Sequence, residues 1–234
     1  MSGPAPIPAK LDYLVVLSLE RTASTSVSRS LRYVSPQTPV VHVHFVDSGA
    51  YHDRPTNAVE QALFDSKHER QRQVQGFLAD PTLKGAVFTI LRDRPSRIAS
   101  CLWYAKHDVI KRFYDADEDR VRPEVMAVLE PRTKVLLDKD RDYDRNVYAL
   151  LGLKGRPEPG VYPTTTGATL FALDFRRIAQ DFETATQTLF GAAVILRHEN
   201  RGGRLGDPRG YLAFKRLCAE ALTQERLALG PDAS

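Results

Sequence analysis

The sequence predicts an α/β fold of three layers, α/β/α, around a central, mainly parallel sheet of about five strands. Three observations predict it. Short runs rich in Val, Leu, Ile and Phe, bounded by polar residues, recur along the chain as buried strands do. Longer amphipathic stretches lie between them, and breaks containing Gly or Pro separate the two kinds. A chain of 234 residues with 42% hydrophobic and 26% charged residues can bury one continuous core. Residues 11–230 therefore read as a single domain, and the Pro/Ala-rich residues 1–10 as a short flexible lead-in.

Leu11 to Leu17 (LDYLVVL) is the first predicted strand. A polar loop, SLERTAST, leads into a helix in STSVSRSLRYV, with Ser24 or Thr25 as its cap because a Ser or Thr oxygen accepts from first-turn N–H groups. Pro39 to Val46 is the second strand, and Thr56 and Asn57 open a long helix that Asp80 and Pro81 end. Gly85 to Leu91 (GAVFTIL) is the third strand, followed by a turn over 92–95 and a helix from Ser96 to Tyr114. The charged stretch Asp115 to Leu153 reads as helical in pieces, and 156–162 as Gly/Pro punctuation. Thr169 to Phe175 is the fourth strand, followed by a helix that stops at Gly191. Ala193 to Leu196 is the fifth strand, and a Gly/Arg-rich loop then leads to a last helix from Tyr211 to about Leu227. Sheets of this kind bind ligands beyond the carboxyl ends of their strands.

Charge and cysteine usage narrow the function. A net charge of +4 with basic residues scattered among acids fits an anionic small ligand and argues against nucleic acid as partner. Cys101 and Cys218 lack CxxC or Cys/His spacing, so neither a zinc site nor a disulfide framework is expected, and no metal. With no signal-peptide pattern and no run near the ~20 apolar residues that span a bilayer, the chain reads as cytoplasmic, without stable membrane insertion. Nothing in it specifies an oligomeric state.

Two stretches carry anion chemistry. A strand that turns through a Ser/Thr-rich loop into a helix presents backbone N–H groups at a positive helix end. Ser24, Thr25 and Ser26 add hydroxyls and Arg21 a charged donor. The GxxxxGK[ST] pattern of nucleoside triphosphatases is missing, and on this segment alone an ordinary helix cap is an equal reading. Arg92 at the end of the third strand could fork onto a second phosphate with Ser100, or pair with Asp93 at the surface; Arg94 and Arg97 stand nearby. His42 and His44, at i and i+2 of a strand, point to one face and offer a base near neutral pH, or a backbone-bonded, partly buried pair. Asp47, Glu60 and His52 are other candidate bases.

In combination these stretches resemble the sulfotransferase family, in motif order from Leu11 to about Phe214. SLERTASTSVSRSL looks like that family's 5′-phosphosulfate loop, with Arg21 at the basic position and Thr22, Ser24 and Thr25 around it. Ala23 stands at the family's Gly and Glu20 where Pro is common. TILRDRPSRIAS resembles the 3′-phosphate signature, an Arg ending a strand and a Ser eight positions on, met by Arg92 and Ser100. VHVHF is similar to the segment that carries the family's histidine base, which places His44 at the base and His42 at a lysine position, as in the bacterial capsular-polysaccharide branch. RGGRLGDPRG resembles the loop that closes over the 3′-phosphate and adenosine, through Arg201, Gly203, Gly206 and Asp207. Ser26 occupies the place of a common adenine-stacking Trp.

The resemblance implies a P-loop-like sulfotransferase fold and a co-substrate, PAPS (3′-phosphoadenosine-5′-phosphosulfate), bound by Arg21, Thr22, Ala23, Ser24, Thr25, Ser26, Arg92, Ser100, Arg201 and Gly203. His44, Arg21 and His42 would act on a carbohydrate or small-molecule acceptor hydroxyl. The departures at Ala23 and Ser26 leave open a catalytically silent nucleotide-phosphate-binding module.

Overall fold

The computed structural model describes residues 10–19, 22–44, 57–105, 118–197 and 214–223. Their elements run, in order, β1 (Tyr13–Leu17), α1 (Ser24–Val34), β2 (Val40–Val43), α2 (Ala58–Ala79), β3 (Gly85–Leu91), α3 (Arg94–Ala105), α4 (Glu118–Leu150), β4 (Gly160–Pro163), β5 (Thr169–Asp174) and α5 (Ile178–Phe190). A further helix, α6, spans residues 214–223. The chain forms two compact units, one from Met1–Leu91 with Tyr143–Asn200, the other from Arg92–Asp142 with Arg201–Ser234.

The first unit holds a five-stranded sheet in the order β2-β1-β3-β5-β4. Pairing is parallel between β1 and β2, β1 and β3, and β3 and β5, and antiparallel between β4 and β5. Strands β1 and β3 are buried along their whole length, as their unbroken apolar runs require of strands covered on both faces. On one face Val15, Leu17, Val41, Val43 and Val87 pack with Val74 and Leu78 of α2 and Tyr143, Val147 and Tyr148 of α4. On the other, Leu14, Val16, Phe88, Ile90 and Phe171 pack with Val27 and Leu31 of α1 and Ile178 and Phe182 of α5. Helices thus cover both faces of a mainly parallel sheet. Gly85 is held to glycine by contact, since a Cβ there would lie 2.2 Å from the Tyr13 ring, which is stacked on Phe77.

Helix α1 lies on the sheet through small side chains as well as Val27 and Leu31: Ser24, Ser26, Ser28 and Ser30 are all buried. Helix α5 ends where its sequence says it should, at Gly191 in the left-handed conformation (φ 71), whose N–H closes on the Gln187 carbonyl.

Four sequence expectations change. Residues 193–196 form no strand: within them Val194 N–H bonds Thr186 Oγ1 of α5, and just after them Arg197 N–H bonds Ser30 Oγ of α1. The fifth strand is β4, inside the stretch read as punctuation, an exposed edge whose residues carry no buried apolar run. The charged middle from Glu118 is one helix of 33 residues despite Pro123 and Pro131. Buried Thr133, Leu137, Asp140, Tyr143 and Val147 recur along it at helical spacing and anchor it past both prolines. Helix α3 also starts earlier than expected, at Arg94, with Asp93 as its cap.

In the second unit Ile98, Leu102 and Trp103 of α3, Leu137 of α4 and Phe214, Leu217 and Cys218 of α6 share a core. Burial pushes the Cys218 thiol up to about 12. Within this unit the Arg97 guanidinium, 4% exposed, makes a two-pronged ion pair with Asp140, which is 0% exposed. Asp140→Ala leaves that guanidinium buried without its counter-charge. We expect a loss of about 3–5 kcal/mol in urea unfolding, and the double variant Arg97→Met/Asp140→Leu to recover most of it. Trp103, the single tryptophan, sits in the same core and reports the transition by fluorescence.

Candidate functional site

Because β1 and β3 are parallel neighbours, both end at the same edge of the sheet, where Ser18 follows β1. Strand β2 is parallel to β1 as well and delivers His44 to that edge. In the first unit this brings together the β1–α1 loop, the N-terminus of α1 and the two histidines.

The loop is tightly bonded. Thr22 Oγ1 donates to the Leu19 carbonyl (2.6 Å) and lies 2.7 Å from Ser18 Oγ, both hydroxyl residues being fully buried. Ala23, rather than Ser24 or Thr25, holds the N-cap position, in the left-handed conformation (φ 62, ψ 17), and it makes no side-chain cap bond. It is the one non-glycine residue with positive φ among the described residues. The first i→i−4 bond of α1 runs from Val27 N–H to the Ala23 carbonyl. The preceding N–H groups of the first turn thus face a cap without a side-chain oxygen, in a turn with no acidic residue. Ser24 and Ser26 are buried there and Thr25 is half-buried. Such a helix end favours an anion.

The histidines do share a face, opposite Val41 and Val43. Their rings meet edge-on, centroids 4.8 Å apart at 80°. His44 Nδ1 lies 2.7 Å from the Ser18 carbonyl. A carbonyl only accepts, so Nδ1 carries the proton and the lone pair of the neutral ring sits on Nε2. His42 behaves differently. Burial, then His44, Arg32 and Arg70, lower its pKa to about 3. It stays uncharged at neutral pH and supplies none of the positive charge that the lysine position in the sequence pattern called for.

In the second unit Arg92 is half-buried directly after β3, and Ser100 is half-buried in α3. Asp93 caps α3 by accepting the Ser96 N–H at 2.9 Å. Burial alone would raise its carboxyl. The bonds from Ser96, with Lys215 and Arg92 beside it, outweigh that and hold its pKa below the usual range. Arg97 is committed to Asp140 and is not available to a phosphate. Trp103 is a core residue, tilted against Phe214. Arg21, Arg201 and Gly203, with Glu20, Asp47 and His52, lie outside the described residues. Glu60 falls within α2.

Sequence reasoning missed Ser18, whose carbonyl, amide and hydroxyl are all engaged at this edge. The available signal was a polar residue directly after an apolar run. A shallow groove of about 150 Å³ lies elsewhere, among β4, β5 and α5, and is lined by Phe171, Leu173, Arg177 and Asp181 but by no residue of the expected site. No cluster of three or more potential metal ligands occurs among the described residues, and none of their helices is long and apolar enough to cross a membrane. No protein-family model matches the chain, and neither a curated protein nor a solved structure was found similar to it.

Two outcomes follow from the loop and the histidines. Ala23→Gly removes a left-handed alanine and should raise stability by about 1 kcal/mol in urea unfolding. For His42, the unfolded chain takes up a proton near pH 6.5 that the folded chain refuses until about 3. Stability therefore falls on acidification through that window, by about 1.4 kcal/mol per pH unit from this residue. His42→Phe, which keeps an aromatic ring against His44, should flatten the pH dependence measured between pH 6 and 4.

Proposed function

We propose that this chain is a sulfotransferase that moves a sulfuryl group from PAPS to an acceptor hydroxyl of a carbohydrate or small natural product. The observation that carries this reading is Ala23. The family resemblance puts a glycine at its position, and there the backbone adopts the left-handed conformation that glycine favours (φ 62), directly before a helix end suited to an anion. The parallel pairing of β1 and β2 supports it too, because two segments that carry the resemblance, the one after β1 and the histidine pair of β2, meet at the carboxyl ends of neighbouring strands.

The chemistry assigned to these residues is in-line transfer. The acceptor oxygen attacks sulfur as its proton passes to His44 Nε2, and the bond from sulfur to the phosphate oxygen breaks, releasing adenosine 3′,5′-bisphosphate. The first-turn N–H groups of α1, with the hydroxyls of Thr25 and its neighbours and the Arg21 charge, neutralise the leaving phosphate. Arg92 and Ser100 take the 3′-phosphate, Arg201 and Gly203 close over it, and this remote binding energy orients the donor. The reading needs no metal. A fold of the P-loop-like sulfotransferase kind and a cytoplasmic setting belong to the same proposal, the latter in keeping with the free thiols of Cys101 and Cys218.

Calorimetry with adenosine 3′,5′-bisphosphate tests the donor site, and Arg92→Ala should weaken binding at least about tenfold, or ~1.4 kcal/mol. An unchanged affinity in the folded variant removes the 3′-phosphate assignment. His44→Ala should keep bisphosphate binding and lose release of the bisphosphate from the donor. A wild-type chain that binds the bisphosphate without turning over the donor is the silent module instead.

A further inference from the structure

We propose that Ser18 is a positioning residue for His44, setting the ring's tautomer through its carbonyl and tying that carbonyl to the donor loop and to β3 through its hydroxyl. The proposal rests on the assignment of His44 as the base. Strand β1 ends at Leu17, yet its register with β3, Val16 opposite Phe88, brings Ser18 opposite Ile90. There the side chain takes over from the ladder: Ile90 N–H donates to Ser18 Oγ at 3.3 Å. Ser18 Oγ also lies 2.7 Å from Thr22 Oγ1, whose own proton goes to the Leu19 carbonyl, and 3.4 Å from the Ile90 carbonyl, so its proton has two acceptors, Thr22 Oγ1 being the nearer. These bonds link Ile90, Ser18, Thr22 and the Leu19 carbonyl, with Ser18 0% exposed.

The main chain of Ser18 is held just as closely. Its N–H donates to the Val43 carbonyl at 3.3 Å, and its carbonyl receives His44 Nδ1–H at 2.7 Å. Val43 and His44 are consecutive, so Ser18 and the end of β2 exchange bonds in both directions. The ring cannot turn over without giving up the carbonyl. The hydroxyl bonds to Ile90 and Thr22 in turn hold the residue that carries that carbonyl. The atom left to face a reacting hydroxyl is therefore Nε2, in a position referenced to the loop that would hold the donor.

Long-range ¹H–¹⁵N NMR of the labelled full chain reads the tautomer directly, whether or not the chain turns over any donor. The wild type should show His44 protonated on Nδ1. Ser18→Ala should give a mixture of tautomers, with bisphosphate affinity within about twofold and a drop of roughly tenfold or more in the rate of bisphosphate release from the donor. A loss of fold alone would not produce that split. Should Ser18→Ala fail to fold, Thr22→Val removes the bond between Ser18 and Thr22 and should shift the tautomer in the same direction. A wild-type His44 protonated on Nε2, or a tautomer unmoved by the folded variants, overturns the proposal. An Nδ1–H tautomer that depends on Ser18 in a chain that binds no bisphosphate would sink the sulfotransferase reading and leave the positioning role standing.

Discussion

Strand β1 has parallel partners on both sides, and that pairing sets the direction in which three segments leave the sheet. Its five residues are fully buried, with Tyr13, Val15 and Leu17 serving one face and Leu14 and Val16 the other. A one-residue slip would exchange those two sets and strand a core on each side. The register is therefore enforced by packing, and with it the meeting of the β1–α1 loop and the end of β2 at one edge. The hydrogen bonds made by Ser18 extend that register one residue past the strand.

Polar groups in this chain separate into those consumed by the fold and those left for chemistry. Arg97 and Asp140 satisfy each other inside the second unit, and Asp93 is used as a helix cap. Tyr143 donates to the Leu17 carbonyl, and burial drives its phenol well above its ordinary value, so it acts as a neutral fastener for α4 on β1. His42 is likewise kept neutral by its surroundings. Against that background His44, with one nitrogen pinned to a carbonyl, differs in kind from its neighbour two residues away.

Much of this was legible in the sequence, for definite reasons. Continuous apolar runs marked β1, β3 and β5 because strands buried on both faces leave no room for polar residues. The shared face of His42 and His44 followed from the period of two. Strand β4 was illegible because an exposed edge strand of four residues needs no hydrophobic pattern, only backbone pairing. Residues 193–196 misled for the opposite reason: Val194 and Leu196 pack in the core shared with α1 and α5, while the Val194 amide bonds the Thr186 hydroxyl rather than a strand. The cap of α1 was misassigned because Ser24 and Thr25 are ordinary capping residues, whereas a left-handed alanine goes against local preference and is set by tertiary context. The ion pair of Arg97 spans a sequence separation that no local pattern encodes.

The buried serines of α1 have a consequence beyond packing. Helix α1 buries Ser24, Ser26, Ser28 and Ser30 together with Val27 and Leu31, which pack against the sheet. Ser30 also anchors Arg197, whose guanidinium lies 3.7 Å over the Tyr33 ring. The far end of the helix is thereby clamped, while its start buries Ser24, Ser26 and Ser28 around Val27. Ser28 is 2% exposed, so a bulkier residue there would lever the helix about that clamp and swing its first turn away from the strand ends.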